Sequence, residues 1–237
     1  MPVFVCSIRL QLMLGMHPMR GPLLILLLGP ALCLAGAAQS PVKQQLLAGG
    51  WRFSKQRGNV DIYRRPLAGS RFPALLAYTH MAAPATRLYT VISDYDHFAD
   101  FIPSVSNSRV IKQDGTEVWV YQRLDFPALA SDRHYVIHVS NDLHRAEQGD
   151  IRIAWRLDPD PSFLPEAAGA VLPRTFSGYW HLTTAASGSG TDAIYSIHVE
   201  PGGLLPGWLF APAGESYLFD VVRAVQRRAA SDNSRAQ

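Results

Sequence analysis

The sequence has little cysteine and little net charge, and both scarcities exclude classes of protein. Its 237 residues include only two cysteines, Cys6 and Cys33, and both lie within residues 1–38. Residues 39–237 therefore cannot contain a disulfide framework, a cysteine nucleophile or a cysteine metal site. The formal net charge is only +3, which does not fit a protein that binds nucleic acid through its charge, although the isoelectric point is near 9.0. We therefore expect no nucleic-acid partner.

Familiar catalytic motifs are also missing from the sequence. It contains no Gly-x-Ser-x-Gly elbow, no glycine-rich phosphate loop and no His-Glu-x-x-His pattern. His134 and His138 would lie about 13 Å apart on one strand, too far to bind one metal ion. His181 and His198 could approach each other only if the register of their hairpin shifted by two residues. We expect no metal, no cofactor and no catalytic residues, and hence not an enzyme.

Residues 1–38 are interpreted as a signal peptide. A short apolar run, Leu23 to Leu34, follows Arg20 and precedes the small residues of 35–38. The run is shorter than the roughly 18–20 residues that a membrane-spanning helix needs. A chain that starts at Met19 would have a signal peptide of ordinary length, so we expect translation to start there. This predicts a cleaved leader and a periplasmic or secreted protein. An uncleaved membrane anchor is the alternative.

The rest of the chain is interpreted as a lead-in (39–50), a single domain (51–228) and a disordered tail (229–237). Segments with alternating or β-branched composition predict strands, and turn residues such as Asp114-Gly115 join some of them into hairpins. The predicted strands are 60–64, 75–81, 109–111, 118–124, 135–139, 151–157, 176–184 and 193–199.

Two segments have the spacing of amphipathic helices. Between Ala85 and Tyr95, apolar residues recur at i, i+3, i+4 and i+7, directly after Pro84. The same spacing recurs in Leu218, Val221, Val222 and Val225. A run of antiparallel strands with a helix near each end predicts the α+β class.

The last hairpin can be predicted in more detail. A two-residue turn at Gly188-Ser189 would pair Trp180 with Ile197 and Leu182 with Tyr195. These four large apolar residues would then share one face of the sheet with Phe176, Gly178 and Val199. The opposite face would be polar, as expected for a sheet with one face against a core or cavity.

Several motifs follow one another in a distinctive order between Trp51 and about Arg227. They include the segment 91–103 with the sequence VISDYDHFADFIP, and Arg174 followed by Gly178-Tyr179-Trp180. The last is 200–209, EPGGLLPGWL, just before the last predicted helix. This order resembles that of a START (lipid-transfer) domain of the helix-grip superfamily. The chain departs from the family pattern at Arg133-His134, where Arg-Asp is usual, and near Phe210-Ala211, where an asparagine is common.

The resemblance implies a curved antiparallel sheet wrapped around a long C-terminal helix, with an internal hydrophobic tunnel between them. It implies a monomer that binds a lipid or another hydrophobic small molecule, with possible transient membrane contact. Alternation along the strands, together with this resemblance, predicts a set of tunnel-lining residues, although the same residues would equally fill a solid core. They are Val120, Gln122, Leu124, Ile137, Val139, Ile153, Trp155, Trp180, Tyr195, Ile197, Leu218, Val221, Val222 and Val225.

The resemblance also has implications for how a ligand enters the tunnel and for catalysis. Residues 128–132 and 202–214 are predicted gate segments, or simply the ends of strands and helices. Asp132-Arg133 is either a surface ion pair or a structural clamp, and we favour the clamp.

The alternative function is a cyclase or aromatase of the same superfamily. Among its candidate polar residues, Arg123 and His134 are predicted to face outward, which leaves Asp125, Tyr135 and Tyr195.

Overall fold

The structure is a computed structural model that describes residues 40–126, 131–158, 160–164, 169–203 and 207–231. The interpretation of 1–38 as a signal peptide falls outside these residues. The helices are α1 (Pro41–Ala48), α2 (Ala85–Ile92), α3 (Phe98–Phe101) and α4 (Gly207–Ser231). The strands are β1 (Arg52–Arg57), β2 (Val60–Arg65), β3 (Ala74–Met81), β4 (Val105–Asp114), β5 (Glu117–Leu124), β6 (Arg133–Arg145), β7 (Asp150–Leu157), β8 (Thr175–Thr184) and β9 (Thr191–Glu200).

The nine strands form one curved antiparallel sheet in the order β1-β2-β3-β9-β8-β7-β6-β5-β4. Hairpins join most neighbours along the chain, and the pairing of β3 with β9 joins the first three strands to the last six. The sheet with its long C-terminal helix confirms the predicted α+β helix-grip architecture.

The main core lies between one face of the sheet and the helices α2 and α4. The helical spacings predicted this contact: Leu88, Val91 and Ile92 of α2 are buried, as is the apolar stripe of α4. On the sheet, alternation places residues such as Val120 and Ile153 on the same inner face. Within the described helices, none is both long and apolar enough to cross a membrane.

A second, smaller core covers part of the sheet's other face. Leu46 of α1 packs with Trp51, Tyr63, Leu76 and Tyr78. The sequence interpretation treated 39–50 only as a lead-in and did not predict α1 or β1. Because Leu46 is the only buried residue of α1, the helix has no apolar stripe that periodicity could reveal.

The register predicted for the last hairpin is wrong by two residues. Trp180 lies opposite Tyr195, and Leu182 lies opposite Ala193. The connection is longer than two residues, because the Ala185 amide donates to the Gly190 carbonyl over 3.2 Å, and Gly188 and Gly190 both adopt positive φ. An even shift keeps each side chain on its predicted face, so the inward and outward sets remain correct.

Two helix boundaries also differ from those predicted. The helix expected to reach Tyr95 ends at Ile92, and Tyr95 begins a separate 3-10 turn. The C-terminal helix continues to Ser231, beyond the predicted domain end at 228. Ala229 is only 2% exposed, so packing of this residue extends the helix into the predicted tail. Residues 232–237 lie outside the described residues.

Candidate functional site

The described residues line two cavities between the inner face of the sheet and the helices. The larger cavity has a volume of about 360 Å³, and the smaller has about 60 Å³. Small-molecule sites usually occupy roughly 300–1,000 Å³, so only the larger cavity could hold a ligand by itself.

The wall of the larger cavity is mostly apolar and comes from β3, β5, β6, β8, β9, α4 and adjoining loops. Alternation places Phe176, Ile197 and Val199 on its sheet side, while Tyr217 belongs to the helix side. Its described lining residues are Pro73, Leu75, Pro103, Ser104, Leu124, Asp125, Phe126, Arg133, Tyr135, Pro173, Phe176, Ile197, Val199, Pro201, Ala213, Gly214, Ser216, Tyr217 and Asp220. This arrangement can bury an apolar molecule between sheet and helix.

The smaller cavity is lined mainly by aromatic and aliphatic side chains. Its described lining residues are Ile92, Tyr95, Phe98, Ile102, Val105, Gln122, Ile137, Val139, Ile153, Trp155, Phe176, Trp180, Tyr195, Tyr217, Val221 and Val225. Gln122 is its only residue with a side-chain amide. Its Nε2 atom donates to Ser108 Oγ over 3.5 Å, at the outer limit of hydrogen-bond length.

In contrast to Gln122, two polar atoms of this wall are buried and have no hydrogen-bond partner among the described residues. They are the Tyr95 hydroxyl and Trp155 Nε1. An unsatisfied buried donor costs about 1–3 kcal/mol. Burial also raises the pKa of Tyr95, so its hydroxyl remains protonated and able to donate.

Eleven of the fourteen predicted tunnel residues border one of the two cavities, and three do not. Leu124 and Ile197 border the larger cavity, and the other nine border the smaller one: Gln122, Ile137, Val139, Ile153, Trp155, Trp180, Tyr195, Val221 and Val225. Val120, Leu218 and Val222 are at most 1% exposed and border neither cavity. These three residues lie within the packed core, where neighbouring side chains surround them.

Several residues of the larger cavity were absent from the predicted set. Phe176 and Val199 already shared the predicted inward face with Trp180, so alternation contained the signal for both. Tyr217 lies four residues before Val221 and continues the apolar stripe of α4 by one turn. Arg133 offered no such signal, because an arginine at the start of a strand usually faces water.

Asp132 and Arg133 do not pair with each other. The Asp132 carboxylate accepts a hydrogen bond from Arg123 Nη2 at 2.6 Å and another from the Phe126 amide at 3.2 Å. The Arg123 guanidinium holds the pKa of Asp132 below its ordinary value. Arg133 instead donates through Nε to the Pro201 carbonyl at 2.6 Å. The pair thus ties the start of β6 to two different loops, as a clamp does.

The histidines have separate partners. His181 contacts Asp150 over 2.9 Å, and His198 contacts Ser70 over 3.2 Å. Because the register shift is opposite to the one that would bring them together, His181 faces Ile194 instead of His198. In the part of the chain that the structure describes, no cluster of histidine, cysteine, aspartate or glutamate could hold a metal ion.

The two tyrosines considered for catalysis are deeply buried. Tyr135 borders the larger cavity and packs edge-on against Phe176, with ring centroids 4.9 Å apart. Tyr195 borders the smaller cavity and stacks on Trp180 at 4.4 Å. Burial raises the pKa of both phenols. Both hydroxyls therefore remain protonated and can donate hydrogen bonds, but they are weak acids.

The predicted gate segments fall partly outside the described residues. In the first segment only 131 and 132 are described, and in the second 204–206 are not. The second segment includes the beginning of α4, which starts at Gly207. The prediction that these segments admit a ligand remains a prediction.

Both the sequence and the fold of this chain match those of known proteins. Residues 81–226 match a family model described as polyketide cyclase / dehydrase and lipid transport. An uncharacterised Pseudomonas aeruginosa protein is 28% identical over 173 residues, which cover 73% of this chain and 83% of that protein.

Two solved structures have the same fold over most of the chain. One is a STAR-related lipid transfer protein from Xanthomonas axonopodis, 26% identical, with a TM-score of 0.68 over 76% of this chain and 99% of that one. The other is human STARD10, 16% identical, with a TM-score of 0.67 over 81% of each chain.

Proposed function

Since the chain belongs to the polyketide cyclase / dehydrase and lipid transport family and is a START-like domain, we propose that it binds a lipid in its internal cavity and carries or sequesters it in the bacterial envelope. The observation that carries this proposal is the apolar cavity of about 360 Å³ between the sheet and α4. Its volume lies in the range of small-molecule sites, and few polar groups interrupt its wall.

The envelope location rests on the sequence of the leader. Arg20, the short apolar run and the small residues before Gln39 have the order of a cleaved signal peptide. N-terminal sequencing of the protein from fractionated cells tests this part. A new N-terminus near Gln39 in the periplasmic or secreted fraction supports it. Recovery of an uncleaved chain in the membrane fraction would favour the anchor.

An enzyme of the cyclase type is the second candidate, because the matched family includes polyketide cyclases. Tyr135 and Tyr195 are two of the groups in the cavity walls that can donate a hydrogen bond. This candidate predicts turnover of an aromatic or polyketide substrate that falls in Tyr135→Phe or Tyr195→Phe. Undiminished turnover in both variants would remove these residues from any catalytic role.

Lipid binding can be tested directly on the purified protein. Native mass spectrometry and solvent extraction should find a bound lipid, and protein stripped of lipid should take up a fluorescent fatty-acid analogue. Folded protein that carries no lipid and takes up no analogue would contradict the proposal. Movement of the analogue between donor and acceptor vesicles then separates transfer from sequestration.

A cavity-filling variant locates the bound molecule. Val199→Trp places an indole in the larger cavity, and uptake should fall about fivefold or more, since overpacking costs about 1–3 kcal/mol. Ser177→Trp is the matched control, because Ser177 lies next to Phe176 on the opposite face of the sheet. Equal uptake by the two variants would place the ligand elsewhere.

A further inference from the structure

Arg133 is the only buried member among the described charged residues of the larger cavity's wall. It is 4% exposed, whereas Asp125 and Asp220 in the same wall are exposed to water. Water screens those two carboxylates, so their effect on a charge inside the cavity is weak. The electrostatic character of the cavity interior therefore depends mainly on the guanidinium.

The Arg133 guanidinium has neutral acceptors and no carboxylate partner among the described residues. Its Nε donates to the Pro201 carbonyl at 2.6 Å, and its Nη2 donates to the Gly202 carbonyl at 3.2 Å. Its Nη1 donates to the Ser131 carbonyl and, at 3.5 Å, lies near the Asp132 carbonyl. The nearby Asp132 carboxylate is instead bound to Arg123.

This arrangement leaves both a charge and a donor available. A guanidinium has five N–H groups, so one of them, on Nη2, has no acceptor among the four described carbonyls. Carbonyl oxygens satisfy hydrogen bonds but do not balance a full positive charge. A buried charge without a counter-ion is unfavourable, and burial accordingly lowers the pKa of Arg133, although arginine remains charged.

The rest of the wall suits an alkyl chain. Leu75, Phe176, Ile197 and Val199 provide a continuous apolar surface on the sheet side. The cavity thus combines one buried cationic site with an apolar surface, which is the complement of an anionic amphiphile.

We propose that the larger cavity binds an amphiphile with one anionic head group, a carboxylate or a phosphate, which pairs with Arg133 while the alkyl chain lies along the apolar wall. This inference rests on the proposed function, because it specifies the ligand class of the same cavity. Carboxylate and phosphate each offer two oxygen atoms that a guanidinium can bind together, and the experiment separates the two.

Four probes whose chains have the same number of carbon atoms test the inference on the unaltered protein. Laurate, dodecyl phosphate, methyl laurate and dodecanol are titrated into lipid-free protein at about pH 8, where the carboxylate is ionised. At least one anion should bind about tenfold or more tightly than both neutral probes, because a hydrogen bond to a charged group is stronger than one between neutral groups. The tighter anion identifies the head group.

The outcomes distinguish this inference from the proposed function. If the neutral probes bind as tightly as the anions, the inference is wrong and hydrophobic binding still stands. If none of the four probes binds, the proposed function fails and the inference fails with it.

A variant assigns the preference to the guanidinium. In Arg133→Met the ratio of anion to dodecanol affinity should fall to about one, while dodecanol still binds. Arg152→Met is the matched control, since it removes the same charge from the exposed face of β7 and should keep the ratio. An unchanged ratio in Arg133→Met would overturn the assignment. If that variant does not fold, the comparison of probes on the unaltered protein still decides.

Discussion

Phe176 on β8 and Tyr217 on α4 each border both cavities, so their rings stand between the larger cavity and the smaller one. Phe176 is held in place by an edge-on contact with Tyr135 and lies 6.0 Å from the Trp155 ring. The partition therefore consists of side chains from two different elements. A ligand too long for the larger cavity would have to displace one of them.

Shortening Tyr217 should join the two cavities. Tyr217→Ala is expected to bind longer alkyl chains than the unaltered protein does, because the space beyond the partition becomes accessible. It should also lower the free energy of unfolding by about 2–3 kcal/mol, because a partly buried aromatic ring that packs against the core is lost. A chain-length series of fatty acids, with unfolding by urea, measures both effects.

Tyr179→Ala serves as the control for this experiment. Tyr179 lies on the opposite face of the sheet, where Arg152 packs over its ring. Its truncation should leave the chain-length preference unchanged. The same preference in Tyr217→Ala and the unaltered protein would mean that the partition does not limit ligand length.

Gly178 is predicted to tolerate no side chain. A Cβ atom at this position would lie 2.2 Å from the Ser196 carbonyl oxygen and 2.5 Å from Trp155 Cζ2. Gly178→Ala should therefore displace Trp155 and destabilise the protein by about 3 kcal/mol. Tryptophan fluorescence and urea unfolding measure these effects.

Gly188→Ala is the comparison for Gly178. A Cβ atom at Gly188 would have nothing within 4 Å, and the cost arises only from its positive φ of 76°. About 1 kcal/mol is expected for that strain, with no change in tryptophan fluorescence. Equal losses of stability in the two variants would contradict the steric argument.

Glu215 anchors α4 to the β1–β2 hairpin through a buried ionic cluster. The side chain is 1% exposed, and its carboxylate accepts from Lys55 Nζ at 2.6 Å, from Ser54 Oγ at 2.7 Å, and from Arg64 Nε. Burial alone would raise the pKa of Glu215, but these three donors outweigh it and lower the pKa from 4.5 to about 2.

This pKa shift predicts acid sensitivity. A carboxyl whose pKa is lower in the folded state stabilises the fold above its unfolded pKa, and that stabilisation is lost as pH falls from about 4.5 towards 2. Because Lys55 and Arg64 are partly exposed, we expect a contribution of about 2–3 kcal/mol. Urea unfolding at a series of pH values should show this loss in the unaltered protein.

Glu215→Gln should be less stable at neutral pH by a similar amount and should lack this part of the acid dependence. Glu147→Gln, at an exposed position, should behave as the unaltered protein does. A pH profile that Glu215→Gln leaves unchanged would refute the role of the cluster.

Helix α1 is predicted to stabilise the outer face of the sheet. Leu46 is 7% exposed and packs in the second core, whereas its neighbour Leu47 is 45% exposed. Leu46→Ala should lower the free energy of unfolding by about 2–3 kcal/mol, and Leu47→Ala by less than about 0.5 kcal/mol. Equal effects would show that α1 does not hold the second core together.

Local patterns predicted most of the strands and helices, because side chains return to the same face every two residues in a strand and about every four in a helix. The inward set of β5, β8 and β9 followed from alternation, and the buried faces of α2 and α4 followed from helical spacing. The length of the connection 185–190 decided the register of β8 and β9, and two glycines with positive φ make that connection longer than the sequence suggested. Helix α1 escaped prediction because it buries only one side chain.

The sequence by itself determined the fold class, the faces of the strands and helices, and the START-like resemblance, because each depends on residues close together or on the order of motifs. Only the tertiary structure decided which inward residues border a cavity and which fill the core, since that depends on how the sheet and α4 pack. It also brought Ser54 to Glu215, 161 positions apart, and Arg133 to Pro201, 68 positions apart. Such contacts leave no periodic signal in the chain, because they form only when distant elements meet.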